Sequence, residues 1–519
     1  MARHTLYVAP AEATRAERRE FKKKIRKLER EARPEPIDKK ELQLPEAAVP
    51  GLLGPGFIAG GYWNIGRPGA AVPTHEATSR HIAGLYPFVA DAGNGHSGPV
   101  LAVDLNADGL FQYTPWDAYN DKSARGAFST NIVVLGAYRA GKSGTIKTLV
   151  YRSIAFGKQG IVPSDSKGEW VALAEHVGGT VIRLGAGRKE RLNPLDRGPR
   201  RTGVTDEQHE KMVEQRRRTT LQSLVETAHG SPIDAEGNAA LSLALDRAIA
   251  ATDDQPTLRE VHKQLGAIRG GAVDERDGEL IQAARTPWWE LERFISGDLS
   301  GLFEDESTVS FAEDSPLVVV DTSELFARSD LVAQLTQVCT TAWVQAVVSD
   351  KQSERHRYLI REEGWRDMTN LKALQMYQQW LKLSRDYGIA NIILLHKMGD
   401  LDAVGEANSK ERNLAYSIIN DIENKFLFRV NQQGKKALQE KLDLPASHVA
   451  RIATLGRGQF VAYVGQFSYI LDCFSTSTEK ERALFDTDSA MNMAKDEDGF
   501  SIDREKLDEF WPEDEVLRA

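Results

Sequence analysis

The feature of this sequence that most limits its fold is a glycine-rich segment, Asn131-Ile-Val-Val-Leu-Gly-Ala-Tyr-Arg-Ala-Gly-Lys-Ser-Gly144. It matches G-x-x-x-x-G-K-[ST], the phosphate-binding loop called Walker A. The apolar run Ile132–Leu135 before the loop predicts a strand. Apolar residues at helical spacing after it predict a helix: Ile146, Leu149, Val150 and Ile154. Because the motif requires strand, loop and helix in this order, a chance glycine-rich turn is disfavoured.

Residues 136–144 are therefore predicted to bind the phosphates of ATP. Glycines permit backbone torsions that direct consecutive N–H groups at a phosphate, and the dipole of the helix N-terminus adds to the attraction. In this scheme Lys142 bridges the β- and γ-phosphates, and Ser143 binds Mg²⁺. The predicted phosphate-binding residues are Gly136, Ala137, Tyr138, Arg139, Ala140, Gly141, Lys142, Ser143 and Gly144.

The composition is that of a globular protein. At 519 residues, with 41% hydrophobic and 27% charged residues, the chain is expected to hold two to four domains. Cys339 and Cys473 lie in apolar surroundings and are predicted to be buried, reduced thiols. The sequence shows neither an apolar run long enough to span a bilayer nor a secretory signal. We expect a cytoplasmic protein whose contact with a membrane, if it has one, is peripheral.

The net charge of −9 is unevenly distributed. Residues 1–40 contain thirteen Lys or Arg against seven Asp or Glu, whereas residues 479–519 contain six against fourteen. The basic cluster Lys22–Lys27 is able to contact an anionic membrane or nucleic acid. A solvated helix with i,i+4 pairs, such as Glu20 with Lys24, is the alternative that we favour.

The pattern of strands and helices divides the chain into six predicted segments. They are a basic, charged helix or tail at 1–45, an irregular and β-rich segment at 46–130, a first part of the core at 131–202, an all-helical insertion at 203–300, a second part of the core at 301–480 and an acidic tail at 481–519. Alternating strand and helix signals in both core parts predict an α/β fold with a mostly parallel sheet that helices cover on both faces.

Eleven apolar or alternating runs are predicted to be strands. They are Val100–Asp104, Leu110–Tyr113, Ile132–Leu135, Gly160–Val162, Thr180–Leu184, Leu317–Val320, Tyr358–Ile360, Ile389–Leu395, Lys425–Val430, Gln459–Val464 and Tyr469–Leu471. Between 203 and 300 the strand signal disappears, and Thr257-Leu-Arg-Glu260 fits the capping box that begins a helix.

Two acids after one of these strands are candidates for the second half of a P-loop active site. Such a site needs an acid that orders Mg²⁺ and a base that polarises the attacking water. Glu362 is assigned to Mg²⁺ and Glu363 to the base. Arg361 occupies a position that is normally apolar, and Leu317-Val-Val-Val-Asp321 is a rival strand with a terminal Asp.

Further motifs follow the P-loop in a fixed order along the chain: Asp165–Trp170, Gly178–Leu184, Leu192–Asp196, Glu362–Trp365, Ser384–Gly388, Asn391–Asp400, Arg457-Gly458 and Asp486–Asp488. Their order resembles that of the motor ATPases of bacterial type IV secretion and conjugation systems, in the HerA–FtsK branch of P-loop proteins. The resemblance runs from about residue 80 to 495. His396, followed by Asp-Leu a few residues later, is similar to a variant in ATPases of actinobacterial conjugative elements.

The resemblance implies a RecA-like core with an all-helical insertion, and a hexamer with ATP and Mg²⁺ between subunits. It makes Arg385 a candidate arginine finger, with Arg457 as competitor and an ordinary surface arginine as the alternative. His396 is either a sensor of the γ-phosphate or a buried structural histidine. Asp165 and Glu169 either orient water or Lys142, or cap the next helix.

For function, the resemblance implies an ATP-hydrolysing motor that works with channel components of a conjugation or secretion apparatus at the inner membrane. It would power assembly, or transfer of DNA or protein, with any DNA bound without sequence specificity. A nucleotide-gated assembly component with weak hydrolysis is one alternative. A DNA pump for segregation or packaging is another.

Overall fold

The computed structural model describes residues 97–107, 109–199, 205–271, 278–326, 328–348, 355–362, 364, 371–404 and 409–485. They fall within one compact unit, residues 77–487. The predicted basic tail at 1–45, the segment up to residue 96 and the acidic tail from residue 486 lie outside the described residues.

An eleven-stranded sheet forms the centre of the fold, in the order β2-β1-β11-β10-β9-β3-β8-β7-β4-β6-β5. The strands are β1 Val100–Asp104, β2 Gly109–Gln112, β3 Ile132–Leu135, β4 Gln159–Asp165, β5 Thr180–Arg183, β6 Leu317–Asp321, β7 Arg357–Arg361, β8 Ile389–Leu395, β9 Asn424–Phe428, β10 Gln459–Val464 and β11 Phe467–Asp472. Each predicted strand is present, with ends that differ by a few residues at most.

From β9 to β5 every neighbouring pair of strands is parallel. Beyond β9 the sheet continues through β10, β11, β1 and β2, and these pairs are antiparallel. The α/β fold with a mostly parallel sheet is therefore confirmed. Because the carboxyl ends of parallel strands meet at one edge, the loops after β3, β8, β7 and β4 lie side by side.

The described helices are α1 Pro115–Asn120, α2 Lys142–Ile154, α3 Val171–His176, α4 Asp206–His229, α5 Ala235–Ala251, α6 Leu258–Arg269, α7 Gly278–Ala283, α8 Arg285–Ile295, α9 Ser323–Phe326, α10 Asp330–Val348, α11 Leu371–Ser384, α12 Lys410–Asn420, α13 Gln432–Lys441, α14 Ala446–Ala453 and α15 Glu479–Phe485. Helices α4 to α8 follow one another without a strand in the described parts of residues 203–300. The boundaries of the predicted segments stay a prediction.

Alternate residues of the parallel strands supply apolar cores on the two faces of the sheet, as the pleat of a strand requires. In β7, Ile360 faces the core that contains α2 and α3, whereas Leu359 faces the core that contains α4 to α8 and α10. The helical region thus packs on the face of the sheet opposite to α2. By length and composition α10 alone among the described helices is able to cross a membrane, but 83% of its apolar window is buried in the protein.

Candidate nucleotide-binding site

The Walker A segment forms a loop between the buried strand β3 and the helix α2. Two of its residues have left-handed torsions, Arg139 with φ 61° and Gly141 with φ 103°. Left-handed residues among right-handed ones turn successive N–H groups to one side, which makes a concave anion site. No side chain caps the N-terminus of α2, so its first N–H groups and its dipole remain directed at the loop.

Neighbouring strands hold this loop in place. The N–H of Ala137 donates to the carbonyl of Arg429 at 2.9 Å, and the N–H of Gly458 donates to the carbonyl of Ala140 at 2.9 Å. Gly136 lies so close to β9 that a Cβ at this position would be 2.5 Å from the Cβ of Phe428. The loop geometry is therefore fixed by backbone contacts, while the side chains of Tyr138 and Arg139 are exposed.

Lys142 and His396 are brought together at the carboxyl edge of β3 and β8. The Lys142 ammonium donates to the carbonyls of Gly136 at 2.7 Å and Ala137 at 3.0 Å, and lies 3.1 Å from Nδ1 of His396. Because an ammonium only donates, Nδ1 accepts and the neutral ring carries its proton on Nε2. The exposed Tyr138 ring stacks on His396 with 3.9 Å between ring centres.

Three carboxylates cluster at the adjacent ends of β4 and β7. Asp165 ends β4, Glu169 follows in the next loop and Glu362 follows β7. Asp165 and Glu362 are buried. Burial, and then the charges of Glu169 and Asp165, raise the pKa of Glu362 to about 7. Burial also raises the pKa of Asp165.

Lys147 and Trp170 join this cluster to α2. Lys147, which is completely buried, places its ammonium 3.7 Å from Glu169. The indole Nε1 of Trp170 donates to Oε1 of Glu362 at 2.7 Å. The Asp165 carboxylate accepts the backbone N–H groups of Glu169 at 3.0 Å and Trp170 at 2.7 Å. Asp165 therefore caps the turn before α3, and the lysine that Glu169 pairs with is Lys147.

The strand order separates the two candidate magnesium acids. Glu362 follows β7, two strands from β3, whereas Asp321 ends β6, four strands from β3. At about 4.8 Å per strand, Asp321 is roughly 19 Å across the sheet from the P-loop strand. Its carboxylate accepts from the backbone N–H of Ser323 at 3.1 Å and from its hydroxyl at 2.7 Å.

Arg361 lies on the opposite face of β7 from Glu362. Its guanidinium donates to the Thr341 hydroxyl of α10 at 3.1 Å and lies 5.0 Å from the centre of the Tyr377 ring. On the other face, Tyr358 forms a 3.1 Å hydrogen bond with Ser153 of α2. The arginine therefore lies away from the P-loop side of the sheet.

Two predicted catalytic residues are not among the described side chains. Glu363 lies outside the described residues, and for Arg385 only the backbone is described, in a 3₁₀ turn at Arg385–Tyr387. Arg457 is described and lies next to Gly458, which contacts the P-loop of the same chain. Its guanidinium lies 5.7 Å from the centre of the Phe474 ring.

The residues at this edge fit ATP and Mg²⁺. The left-handed turns, the helix N-terminus and Lys142 are suited to phosphates, and a side chain at Gly136 would clash with β9. Mg²⁺ is usually held by one or two protein ligands together with phosphate oxygens. Ser143 and Glu362 match that number, and within the described residues no group of three acids, histidines or cysteines is placed to hold a metal without phosphates.

Sequence reasoning missed the roles of Lys147 and Trp170. A signal for Lys147 was its place among Ile146, Leu149 and Val150, on the apolar side of the predicted helix. A lysine on such a face needs a buried acidic partner. Trp170 had no comparable signal, because the carboxylate that it contacts is 192 residues further along the chain.

Comparison with solved structures shows the fold of this protein. VirB4 of Thermoanaerobacter pseudethanolicus aligns with a TM-score of 0.61 and 20% identity, over 75% of this chain and 99% of that one. The chain has the fold of VirB4. The bacterial conjugative coupling protein TrwB aligns with a TM-score of 0.49 and 14% identity, over 75% of this chain and 89% of that one. No family model matches the sequence, and no curated protein matches it.

Proposed function

We propose that this protein is the ATP-hydrolysing motor of a conjugation or type IV secretion-like apparatus. The observation that carries the proposal is the order β3-β8-β7 at one edge of the sheet. It brings the P-loop, His396 and Glu362 to neighbouring loops. The shared fold with VirB4 supports the choice of apparatus.

Each residue has a role in this proposal. Lys142 and the N–H groups of residues 136–144 hold the phosphates of ATP, while Ser143 and Glu362 hold Mg²⁺, which would neutralise charge on the phosphates. Glu363 is the base that activates water. The neutral ring of His396, with its proton on Nε2, is suited to donate a hydrogen bond to a phosphate oxygen.

The first experiment measures ATP turnover with Mg²⁺, with and without DNA, together with molar mass in solution. The proposal predicts Mg²⁺-dependent turnover that Glu363→Gln arrests while ATP still binds. A wild-type protein that binds ATP but hardly hydrolyses it would instead indicate a nucleotide-gated assembly component. Strong stimulation by DNA of any sequence would favour a DNA pump.

The proposal includes a hexamer in which Arg385 reaches the ATP of a neighbouring subunit. An arginine finger supplies charge to the transition state from outside the subunit that binds the nucleotide. Turnover should then rise with protein concentration, and Arg385→Ala should lower turnover without weakening ATP binding. Arg457 lies beside the P-loop of its own chain, which favours Arg385 for the role in trans.

Mixing two inactive variants tests this arrangement. Rings that combine Arg385→Ala subunits with Glu363→Gln subunits contain some interfaces with an intact base and an intact arginine, so part of the activity should return. Mixtures that stay inactive despite demonstrated co-assembly would exclude Arg385 as a finger in trans. The channel partners at the cytoplasmic face of the inner membrane would be sought by co-purification from cells that carry the apparatus.

A further inference from the structure

Trp170 occupies an unusual position among the acids of the candidate site. It is completely buried, and its two N–H groups donate hydrogen bonds to two different carboxylates. The indole N–H donates to Glu362 at 2.7 Å, and the backbone N–H donates to Asp165 at 2.7 Å. One residue thus joins the ends of β4 and β7.

The indole ring is itself held rigidly. It packs in the apolar core beneath α2, together with Leu149 and Leu173. On its face lies the buried ammonium of Lys147, 5.8 Å from the ring centre. A ring fixed by packing on one side and by a cation on its face has little freedom to turn, so its N–H points in a constant direction.

This direction matters because the Glu362 carboxylate, which is buried at the end of β7, accepts that N–H on one of its oxygens. The side chain of a glutamate has several rotamers, whereas Mg²⁺ requires its oxygen ligands in a nearly ideal octahedral arrangement. The hydrogen bond from the fixed indole therefore holds the carboxylate in one orientation.

We propose that Trp170 is a positioning residue for Mg²⁺, which acts by fixing the carboxylate of Glu362. The proposal rests on the proposed function, because that function assigns Glu362 to the metal. Groups that hydrogen-bond a metal ligand typically change metal affinity by about 10- to 100-fold when they are removed. Trp170 would supply such a contact, although it does not touch the metal.

The test replaces the indole and measures the dependence of nucleotide binding on Mg²⁺. Trp170→Phe keeps an aromatic ring and removes the N–H donor. Binding of a fluorescent ATP analogue is titrated with Mg²⁺, and binding in EDTA is measured separately. We expect the half-saturating Mg²⁺ concentration to rise about tenfold, while binding in EDTA stays within about twofold of wild type, because the P-loop contacts are unchanged.

Trp380→Phe is the matched control. Trp380 is also buried and its Nε1 donates to Oδ1 of Asn391 at 3.1 Å, at the other edge of the sheet. Trp380→Phe removes the same kind of hydrogen bond, but at a position distant from the acids. The Mg²⁺ concentration required for nucleotide binding should therefore stay unchanged. If both variants raise the Mg²⁺ requirement equally, the effect is structural and the proposal is wrong.

A second replacement covers the case in which the smaller ring leaves the protein unfolded. Benzothienylalanine, placed at position 170 by codon suppression, has nearly the shape of tryptophan but no N–H. It should reproduce the higher Mg²⁺ requirement in a folded protein. A wild-type Mg²⁺ response with this residue would overturn the proposal.

Glu362→Gln separates this inference from the proposed function. If Glu362→Gln raises the Mg²⁺ requirement and Trp170→Phe does not, Glu362 binds the metal without help from Trp170, and only the inference fails. If Glu362→Gln leaves the Mg²⁺ requirement unchanged, the proposed assignment of Glu362 fails and the inference fails with it. In a double variant, Trp170→Phe should add nothing to Glu362→Gln, because the carboxylate through which it acts is gone.

Discussion

Two polar clusters at opposite edges of the parallel sheet differ in their charge. At the amino edge, Asn391 donates its backbone N–H at 3.2 Å and its side-chain amide at 2.8 Å to Oδ1 of Asn131. It accepts from Nε1 of Trp380, and Nδ2 of Asn131 donates to the carbonyl of Leu381 at 3.3 Å. These groups are neutral, and each side chain is hydrogen-bonded within the fold.

At the carboxyl edge the corresponding cluster is charged, with three acids near two buried lysines. Asp165, Glu169 and Glu362 share one buried cation, Lys147. A second lysine, Lys142, has carbonyl oxygens and an imidazole as its contacts. Burying these charged groups lowers the stability of the folded protein. Groups with strongly shifted pKa values of this kind occur frequently at functional sites. The comparison indicates that the asparagine cluster serves stability and that the acid cluster serves ligands.

The largest expected effect is that of Lys142→Ala on ATP turnover. The variant removes the positive charge assigned to the β- and γ-phosphates, so turnover should fall by a factor on the order of 1,000 or more. The free energy of unfolding in urea should change by only about 1 to 2 kcal/mol, because the variant loses the hydrogen bonds that the ammonium donates to the carbonyls of Gly136 and Ala137. Wild-type turnover in this variant would place the active site elsewhere.

The second prediction concerns the pH dependence of stability in the nucleotide-free protein with EDTA. The pKa of Glu362 is about 7 in the folded protein, above its ordinary value of 4.5. The folded state therefore binds a proton more tightly than the unfolded state, and this stabilisation, fully present below about pH 4.5, is lost as pH rises to about 7.

Glu362→Gln removes this pH dependence and keeps an oxygen that accepts from Trp170. Between pH 5 and pH 8 the variant should gain stability relative to wild type, by at most about 3 kcal/mol. Urea unfolding at the two pH values measures the difference. If the stability difference between the variant and wild type is the same at pH 5 and pH 8, ionisation of Glu362 does not destabilise the folded protein and the prediction is wrong.

The third prediction tests the amino edge. Asn131→Ala removes the oxygen that accepts both N–H groups of Asn391 and leaves them buried, which should cost about 2 kcal/mol. The cost should be the same at pH 5 and pH 8, because no charged group is involved. Asn420→Ala, at an exposed position at the end of α12, is the control and should change stability by less than about 0.5 kcal/mol. Nucleotide affinity should be unchanged in both variants.

The sequence predicted most of the fold because local patterns determine its elements. Apolar runs such as Ile132–Leu135 and Ile389–Leu395 are buried strands in the structure. The turn of the P-loop and the start of α2 follow from glycines that are adjacent in the chain. By contrast, the antiparallel continuation from β9 to β2 joins residues from opposite ends of the described chain, and no local pattern specifies such pairing.

The candidate site was predictable to the extent that its residues follow strands. Glu362, Asp165 and His396 all follow or end parallel strands, so a shared edge was expected. The sequence did not reveal which other side chains contact these acids. The contacts of Lys147 with Glu169 and of Trp170 with Glu362 depend on how helices pack on the sheet, and neither residue type is unusual enough to signal a role.

The smallest expected effect is that of Asp321→Asn, and it decides how far the functional edge extends. Asp321 also ends a parallel strand, but it is four strands from β3, whereas Glu362 follows a strand two away. Asparagine retains the oxygen that accepts from Ser323, so stability should change by less than about 1 kcal/mol. ATP turnover should stay within about twofold of wild type, since a charge roughly 19 Å from the P-loop strand is too distant to bind the same Mg²⁺.

Glu362→Gln, assayed in parallel, should raise the Mg²⁺ requirement of turnover. If Asp321→Asn abolished turnover while Glu362→Gln left it intact, the magnesium acid would be the one on β6, and the contrast between the two edges would no longer identify the site.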